Sequence, residues 1–334
     1  MEKTGLVLSG GGGKGAFQVG ALKALEEAGM LDYVTGVSGA SIGILNACMF
    51  VEHKMNQMEK VWKNINPSMF LEPDIEDIVD ITGEALFDRE SIIKRVVNKY
   101  QTALNENKYE LFSRSREGAF STDGIKKILD ENVDFEKVSS ASVELYTDVS
   151  CCHDDILELE YIKLNNKPAS DIKTLVLAAC ALPFVYDSVE YQGKVYRDGG
   201  ILDNVPIKPL YDAGYRNIIV IGLKRDYGID YSVYKDCKFT IIMPSHSIGE
   251  FMDGTLDFTA NGAKFRMALG YRNAARIAQA IKSGKIHEPD YQQWLAQMSE
   301  LDYEAAKTDV RQEKLFDKKD EHMDKLLSIY NKYM

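Results

Sequence analysis

Residues 5 to 50, GLVLSGGGGKGAFQVGALKALEEAGMLDYVTGVSGASIGILNACMF, limit the possible folds of this chain more than any other stretch. They read as two strand–glycine turn–helix units, back to back. In the first, Gly5–Ser9 is a short apolar strand and Gly10–Gly15 is a loop almost without side chains. Phe17, Val19, Leu22 and Leu25 then recur at helical spacing within Ala16–Ala28. In the second unit, Tyr33–Ser38 is strand-like and Ile42–Phe50 is an apolar run expected to form a buried helix.

Between these last two elements stands Gly39-Ala40-Ser41-Ile42-Gly43, a G-x-S-x-G. A serine forced into a tight strand-to-helix turn takes strained backbone angles, and small residues two before and two after it relieve the crowding. Its hydroxyl then projects at the head of a helix, where unpaired N–H groups and the helix dipole favour developing negative charge. Ser38 competes, because Gly36 precedes it at the same distance. But Ala40 occupies the place of its second glycine and the apolar helix begins only after Ser41, so Ser41 is the expected nucleophile. The same pentapeptide also fits a plain loop in which serine caps a helix. The polyglycine loop one strand earlier favours chemistry: acyl transfer needs backbone donors aimed at an oxyanion, and glycines present them unobstructed.

That loop has rivals. Gly10-x-Gly12-x-x-Gly15 satisfies the dinucleotide fingerprint between a strand and a helix, with Asp32 about the expected distance downstream. The acidic residue of that motif, however, belongs at the far end of the second strand, and Asp32 precedes it. A P-loop fits worse, since Lys14 is followed by Gly15 and Ala16 rather than Ser or Thr.

Composition narrows the classes. The 334 residues suit one large α/β domain with insertions as well as two domains. With 51 acidic against 40 basic residues, the chain should repel nucleic acid and anionic membranes, and no local basic patch stands out along the sequence. No charged-then-apolar leader opens it and no apolar run approaches a membrane span. Cys48, Cys151, Cys152, Cys180 and Cys237 are odd in number and two are adjacent, which argues against a disulfide framework. Without a C-x-x-C pair or a cysteine–histidine cluster, zinc is not expected. No metal or cofactor is called for, and the setting expected is cytoplasmic.

Residues 52–118 alternate short helical patterns with charged connections: Met55–Ile65, Ile75–Ile81 and Ser91–Tyr100, the last with a stripe of Ile92, Ile93, Val96, Val97 and Tyr100. They are expected to be a helical cap or lid insertion, although such a stripe equally suits ordinary packing on a sheet. From Ser121 the strand–helix rhythm resumes, with a helix at Thr122–Glu131, strands at Val143–Cys152 and Leu157–Leu164, and a helix at Ile172–Ala181. A hairpin, Val189–Tyr191 and Lys194–Arg197 about Gln192-Gly193, delivers Asp198-Gly199-Gly200. Strands at Asn217–Leu223 and Phe239–Met243 and a helix at Ala263–Ile281 follow. Pro244–Phe258 fits either an acyl-pocket wall or a packed loop. The expected division is a catalytic domain over 1–284 and a C-terminal helical extension over 285–334, with Trp294 in one amphipathic helix and Leu326, Leu327, Tyr330 and Tyr333 in another.

A serine nucleophile needs a base, usually histidine. None of His53, His153, His246, His287 and His322 sits in a glycine-rich or tightly turned setting. Asp-Gly is usually a turn, yet an aspartate at a strand end, followed by two glycines that admit a second backbone, can pair directly with the serine. Desolvation then raises its pKa and makes it a better base.

These pieces together resemble the patatin-like phospholipase family. The resemblance rests on Gly10-Gly11-Gly12-Gly13-Lys14-Gly15, on Gly39-Ala40-Ser41-Ile42-Gly43 and on Asp198-Gly199-Gly200, in that order. Ala181-Leu182-Pro183 and Asn204-Val205-Pro206 flank the aspartate, and the matching region spans 5 to about 210. It implies a three-layer α/β/α fold with a mostly parallel central sheet. It further implies calcium-independent hydrolysis of lipid acyl esters by a Ser41–Asp198 dyad, with the Gly11–Gly13 amides and nearby Lys14 at the oxyanion and water cleaving an acyl-enzyme. Gly13 is an additional glycine, and Lys14 stands where many members carry arginine, so the planar fork is missing. The partner implied is a lipid or acyl-ester substrate, with transient contact to a membrane surface; oligomeric state is left open. Two other functions remain: a nucleotide-dependent oxidoreductase on the glycine loop, and a non-catalytic lipid-binding protein of the same fold.

Overall fold

The structure, a computed structural model, describes residues 3–71, 89–105, 117–153 and 156–311. Its first half runs β1 (Thr4–Leu8), α1 (Ala16–Glu27), β2 (Val34–Gly39), α2 (Ile42–Val51), α3 (Met55–Lys63), α4 (Arg89–Asn105), α5 (Asp123–Asn132) and α6 (Phe135–Ser140). The second half runs β3 (Glu144–His153), β4 (Ile156–Lys163), α7 (Ala169–Ala179), β5 (Val189–Tyr191), β6 (Lys194–Asp198), α8 (Lys208–Asp212), β7 (Asn217–Ile221), β8 (Lys238–Ile242) and α9 (Ala260–Ser283). A further helix, α10, covers 291–311. The expected helix at Ile75–Ile81, and the segment carrying Leu326, Leu327, Tyr330 and Tyr333, lie outside the described residues.

The strands form one sheet in the order β5-β6-β3-β2-β1-β7-β8, with β4 against β3. From β3 to β8 the pairings are parallel, and β4, β5 and β6 add antiparallel partners at one end. β1 is buried on both faces, as an apolar central strand must be: Leu6 and Leu8 enter one core and Val7 the other. On the first face lie α1, α2, α3, α7 and α9 around the large core. The second face is thinly covered, by the five-residue α8 and by tyrosines such as Tyr215 and Tyr227. Phe17 is wholly buried in the large core, where truncation to alanine costs about 3–5 kcal/mol.

One detail of the register places the site. β3 is ten residues long, and two strands share one of its edges. Gly36–Gly39 of β2 lie opposite Glu144–Thr147, running parallel; Tyr196–Asp198 of β6 lie opposite Cys151–Val149, running antiparallel. The other edge belongs to β4. β2 therefore climbs the shared edge while β6 descends it, and their C-terminal ends meet beside Asp148.

Helix α9 runs beyond its expected bounds. Helix α9 starts three residues before the expected Ala263 because Thr259 caps it, its hydroxyl accepting the Gly262 N–H at 3.1 Å; Gly284, at φ 75°, ends it. It crosses α1 in backbone contact, since a Cβ on Gly20 would fall 1.9 Å from the Met267 carbonyl oxygen. Helix α10 is tied back to α9 by Arg276–Asp302 at 2.9 Å and Arg272–Asp309 at 2.7 Å.

Candidate active site

The turn from β2 into α2 has no room for side chains at its flanks. A Cβ on Gly39 would lie 2.7 Å from the Gly43 carbonyl carbon, and one on Gly43 would lie 2.2 Å from the Leu8 carbonyl oxygen. Between them Ser41 is held at φ 51°, ψ −125°, a strained conformation for a residue with a Cβ. Its carbonyl accepts the Ile44 N–H at 3.0 Å and lies 3.4 Å from the Cys180 thiol. Ser38 is elsewhere engaged: wholly buried, it donates to the Pro206 carbonyl at 2.6 Å.

The shared edge of β3 brings Asp198 beside Ser41, near enough for the Ser41 hydroxyl to favour the ionised carboxylate. The Gly200 N–H donates to Asp198 Oδ1 at 2.8 Å. Burial pushes the Asp198 carboxyl up to about 6, with the Ser41 hydroxyl and the Gly200 N–H pulling the other way. Asp198 is thus ionised at neutral pH and far more basic than an exposed aspartate.

The glycine loop divides. Gly10, Gly11, Gly12 and Lys14 line the same cavity as Ser41 and Asp198, whereas Gly13 and Gly15 pack behind it. Gly10 exchanges bonds with Asn204: its N–H donates to the Asn204 carbonyl at 3.1 Å, and Asn204 Nδ2 donates to the Gly10 carbonyl at 3.2 Å. A Cβ on Gly12 would sit 2.1 Å from the Thr255 carbonyl oxygen, and one on Gly13 2.0 Å from that of Asp257. The space a dinucleotide pyrophosphate needs over these glycines is filled by the chain itself, and Asp32 lies ahead of β2, so the geometry disfavours the dinucleotide reading.

Buried polar side chains that sequence reasoning missed hold the loop in place. Gln18 Nε2 donates to the Ser9 carbonyl at 2.7 Å, Asn46 Nδ2 to the Gly15 carbonyl at 3.1 Å, and Trp62 Nε1 to Asn46 Oδ1 at 2.9 Å. Arg266, 3% exposed, donates to the carbonyls of Ile248, Asp253, Asp257 and Gly13 and pairs with the Asp257 carboxylate at 2.8 Å. Nothing in the sequence separates Arg266 from Lys264, Arg272 and Arg276 on the same helix. Asp148 was missed as well. Wholly buried where β2 and β6 meet, it has both carboxylate oxygens without a hydrogen-bond partner among the described residues. Burial and the charges of Asp198 and Asp203 push its carboxyl well above the ordinary range.

The site cavity measures about 150 Å³. Leu182, Val185, Tyr186, Leu256 and Phe258 make its apolar wall, with Phe251 and, from α4, Tyr100 stacked on each other at 4.6 Å. The helical stripe of α4 is therefore split, Val96 and Val97 going to the core and Tyr100 to the cavity wall. In the Pro244–Phe258 segment, Ile248 is core while Phe251, Leu256 and Phe258 line the cavity. A larger cavity of about 640 Å³ lies between α1, α3, α9 and α10; it shares no lining residue with the site cavity and has no Ser, Thr or Cys in its lining. Among the described residues no group of three His, Cys, Asp or Glu side chains could hold a metal, and no helix is long and apolar enough to cross a membrane.

A serine at a strained elbow beside a buried carboxylate, with glycine amides alongside and an apolar wall, brings together groups that acyl transfer requires. Residues 6–211 match the family described as patatin-like phospholipase; the chain belongs to that family, a family of lipid hydrolases. Among solved structures, VipD from Legionella pneumophila is similar with a TM-score of 0.46 and 17% identity, over 84% of this chain and 67% of that one. The type III effector ExoU follows at 0.44 and 16%, over 94% of this chain and 62% of that one. The full-length ExoU of Pseudomonas aeruginosa in complex with SpcU gives 0.40 and 15%, over 84% and 52%. The chain thus spans about half to two thirds of the length of these proteins, and likenesses so distant add nothing to the fold assignment. No curated protein sequence matches the chain.

Proposed function

We propose that the protein is a serine lipid acyl hydrolase working through a Ser41–Asp198 dyad. The observation that carries this reading is the Ser41 hydroxyl, on a strained elbow, beside a buried Asp198 carboxyl whose pKa is raised to about 6. As Ser41 Oγ attacks the ester carbonyl carbon, its proton passes to Asp198. The tetrahedral oxyanion faces the amides of Gly11 and Gly12, with the Lys14 charge nearby. Collapse breaks the bond to the leaving alcohol, which takes the proton from Asp198 and leaves Ser41 acylated. Water then attacks the acyl carbon, gives a proton to Asp198, and releases the fatty acid as Ser41 regains its hydrogen. The apolar wall from Leu182 to Phe258 takes the acyl chain, and the α4 segment that carries Tyr100 serves as part of a cap. Substrate is met at a membrane surface, on transient contact, in a cytoplasmic setting.

The test is labelling with a fluorophosphonate, the adduct mapped by mass spectrometry. A single adduct on Ser41, absent in Ser41→Ala and strongly reduced in Asp198→Asn, is the expected result. An adduct on another serine, or none in folded protein with detergent and vesicles present, would sink the dyad.

A further inference from the structure

Tyr227 lines the catalytic cavity, yet the dyad chemistry gives it no part. It stands shortly after β7 and brings its phenol oxygen back to the place where β1 and β7 end side by side. There the Leu223 N–H donates to that oxygen at 2.9 Å, and Ser9 Oγ lies 2.9 Å from it. Burial holds the phenol above its ordinary range, against the Ser9 hydroxyl and the amides of Leu223 and Lys224, which favour charge on its oxygen.

Which of Ser9 and Tyr227 donates to the other follows from what each can reach. Ser9 is wholly buried, does not line the cavity, and has no acceptor for its hydroxyl but Tyr227 among the described residues. Donation from Tyr227 to Ser9 would leave the Ser9 proton orphaned in the interior, the costly arrangement for a buried donor. Donation from Ser9 to Tyr227 leaves nothing buried unpaired. The phenol oxygen then accepts from both Ser9 and Leu223, and its own proton has no acceptor among the described residues. The open space that Tyr227 borders is the catalytic cavity.

The position suits an oxyanion. Ser9 leads directly into Gly10, Gly11 and Gly12, and Leu223 packs on the same loop, where a Cβ on Gly11 would lie 2.9 Å from Leu223 Cδ1. The two residues that hold the phenol thus flank the glycine amides. The ring is confined as well, with Cε2 only 3.0 Å from where a Cβ on Gly222 would stand. A donor fixed in this way needs no reordering as charge develops. The sequence hid it because Tyr227 is one of 18 tyrosines and meets the glycine loop only through the pairing of β1 with β7.

We propose that Tyr227 is a catalytic residue of the acyl-transfer reaction, donating its phenol hydrogen bond to the oxyanion beside the Gly11 and Gly12 amides. The inference rests on the Ser41–Asp198 reading and adds a residue to it. No proton changes hands at Tyr227. Its O–H bond stays intact while the carbonyl oxygen gains charge on attack by Ser41 Oγ and loses it again as the alcohol departs. A donor of this kind acts on the transition state more than on bound substrate, so its effect falls on kcat rather than KM.

The experiment measures hydrolysis of p-nitrophenyl butyrate by the full-length protein, by Tyr227→Phe, and by Ser9→Ala, which breaks the same internal bond but keeps the phenol. Tyr227→Phe should lower kcat by roughly 10² to 10³-fold, the usual effect of one oxyanion donor, with KM changed by less than about twofold. Ser9→Ala should lose less than about tenfold, the scale of one neutral hydrogen bond. A role confined to tying the two strand ends together predicts equal losses in the two variants. Equal losses, a loss confined to KM, or an undiminished kcat in Tyr227→Phe each overturn the proposal. A crystal structure of the wild-type protein with an alkyl trifluoromethyl ketone, which forms a hemiketal on the serine, tests it without any variant. The hemiketal oxygen should lie within about 3 Å of the phenol oxygen, and a separation beyond about 3.5 Å overturns the proposal even if Tyr227→Phe does not fold. No Ser41 adduct and no Ser41-dependent hydrolysis bring down the hydrolase reading itself, whereas an adduct whose oxyanion meets glycine amides alone brings down only the part given to Tyr227.

Discussion

Asp198 and Asp148 lie on strands that are neighbours, both buried, yet their surroundings differ. Asp198 ends a strand at a turn, where the Gly200 N–H and the Ser41 hydroxyl reach it. Asp148 sits in mid-strand, its carboxyl pressed toward Gly199, where no donor among the described residues arrives. A turn frees N–H groups and a strand interior consumes them in the ladder, so under equal burial one carboxyl is raised to about 6 and the other is pushed well above the ordinary range. Burial alone thus does not poise a carboxyl near neutral pH; donors that stabilise the ionised form do.

The largest expected effect separates the two on activity. Asp198→Asn should lower kcat/KM for an ester by roughly 10² to 10⁴-fold, the usual worth of a general base, while Asp148→Asn changes it by less than about tenfold. Equal losses would erase the distinction. Next in size is Arg266, a buried charge supplied with partners on every side. Arg266→Gln should cost about 3–5 kcal/mol in urea unfolding, because it removes one member of a buried ion pair and strips four carbonyls of their donor.

The pH dependences should diverge too. kcat/KM rises with pH through an apparent pKa near 6 as Asp198 loses its proton, and Asp148→Asn leaves that midpoint in place, since burial, the Ser41 hydroxyl and the Gly200 N–H set it. For stability the sign is the same for both groups: a carboxyl with a raised folded pKa binds more protons folded than unfolded, so stability falls as pH rises from the unfolded pKa to the folded one. For Asp198 that fall spans pH 4 to 6 and then levels; for Asp148 it continues to higher pH. Asp148→Asn should therefore raise the melting temperature more at pH 9 than at pH 5, a crossover that scanning calorimetry can deny. The smallest effect concerns the other serine. Ser38→Ala loses one bond to the Pro206 carbonyl, about 1 kcal/mol, with an unchanged rate of fluorophosphonate labelling.

The local parts of this picture were legible in the sequence. The elbow, the glycine loop and the hairpin before Asp198 are short-range patterns, written in glycines that no other residue could replace at Gly39 or Gly43. What stayed hidden depends on contacts between distant segments. That β6 would descend the edge β2 climbs is a matter of pairing, on which periodicity is silent. Asp148 lies within an expected strand, Arg266 within an expected helix and Asn46 within an apolar run, and no local pattern marks any of the three. The division of the glycine loop needed the Thr255–Asp257 backbone to be in place before Gly13 could be told apart from Gly12.

The shared edge of β3 also governs how this protein can change length. Ser41 and Asp198 are indexed to the pleat of one strand rather than to the chain between them, so insertions or deletions in the connections before β3, or between β4 and α7, leave their separation untouched. A single deletion between Tyr191 and Asp198 is different in kind: it slides the carboxylate by one step of about 3.4 Å and turns it to the opposite face of the sheet. Natural variation in homologues should accordingly be generous in the first regions and absent from the second.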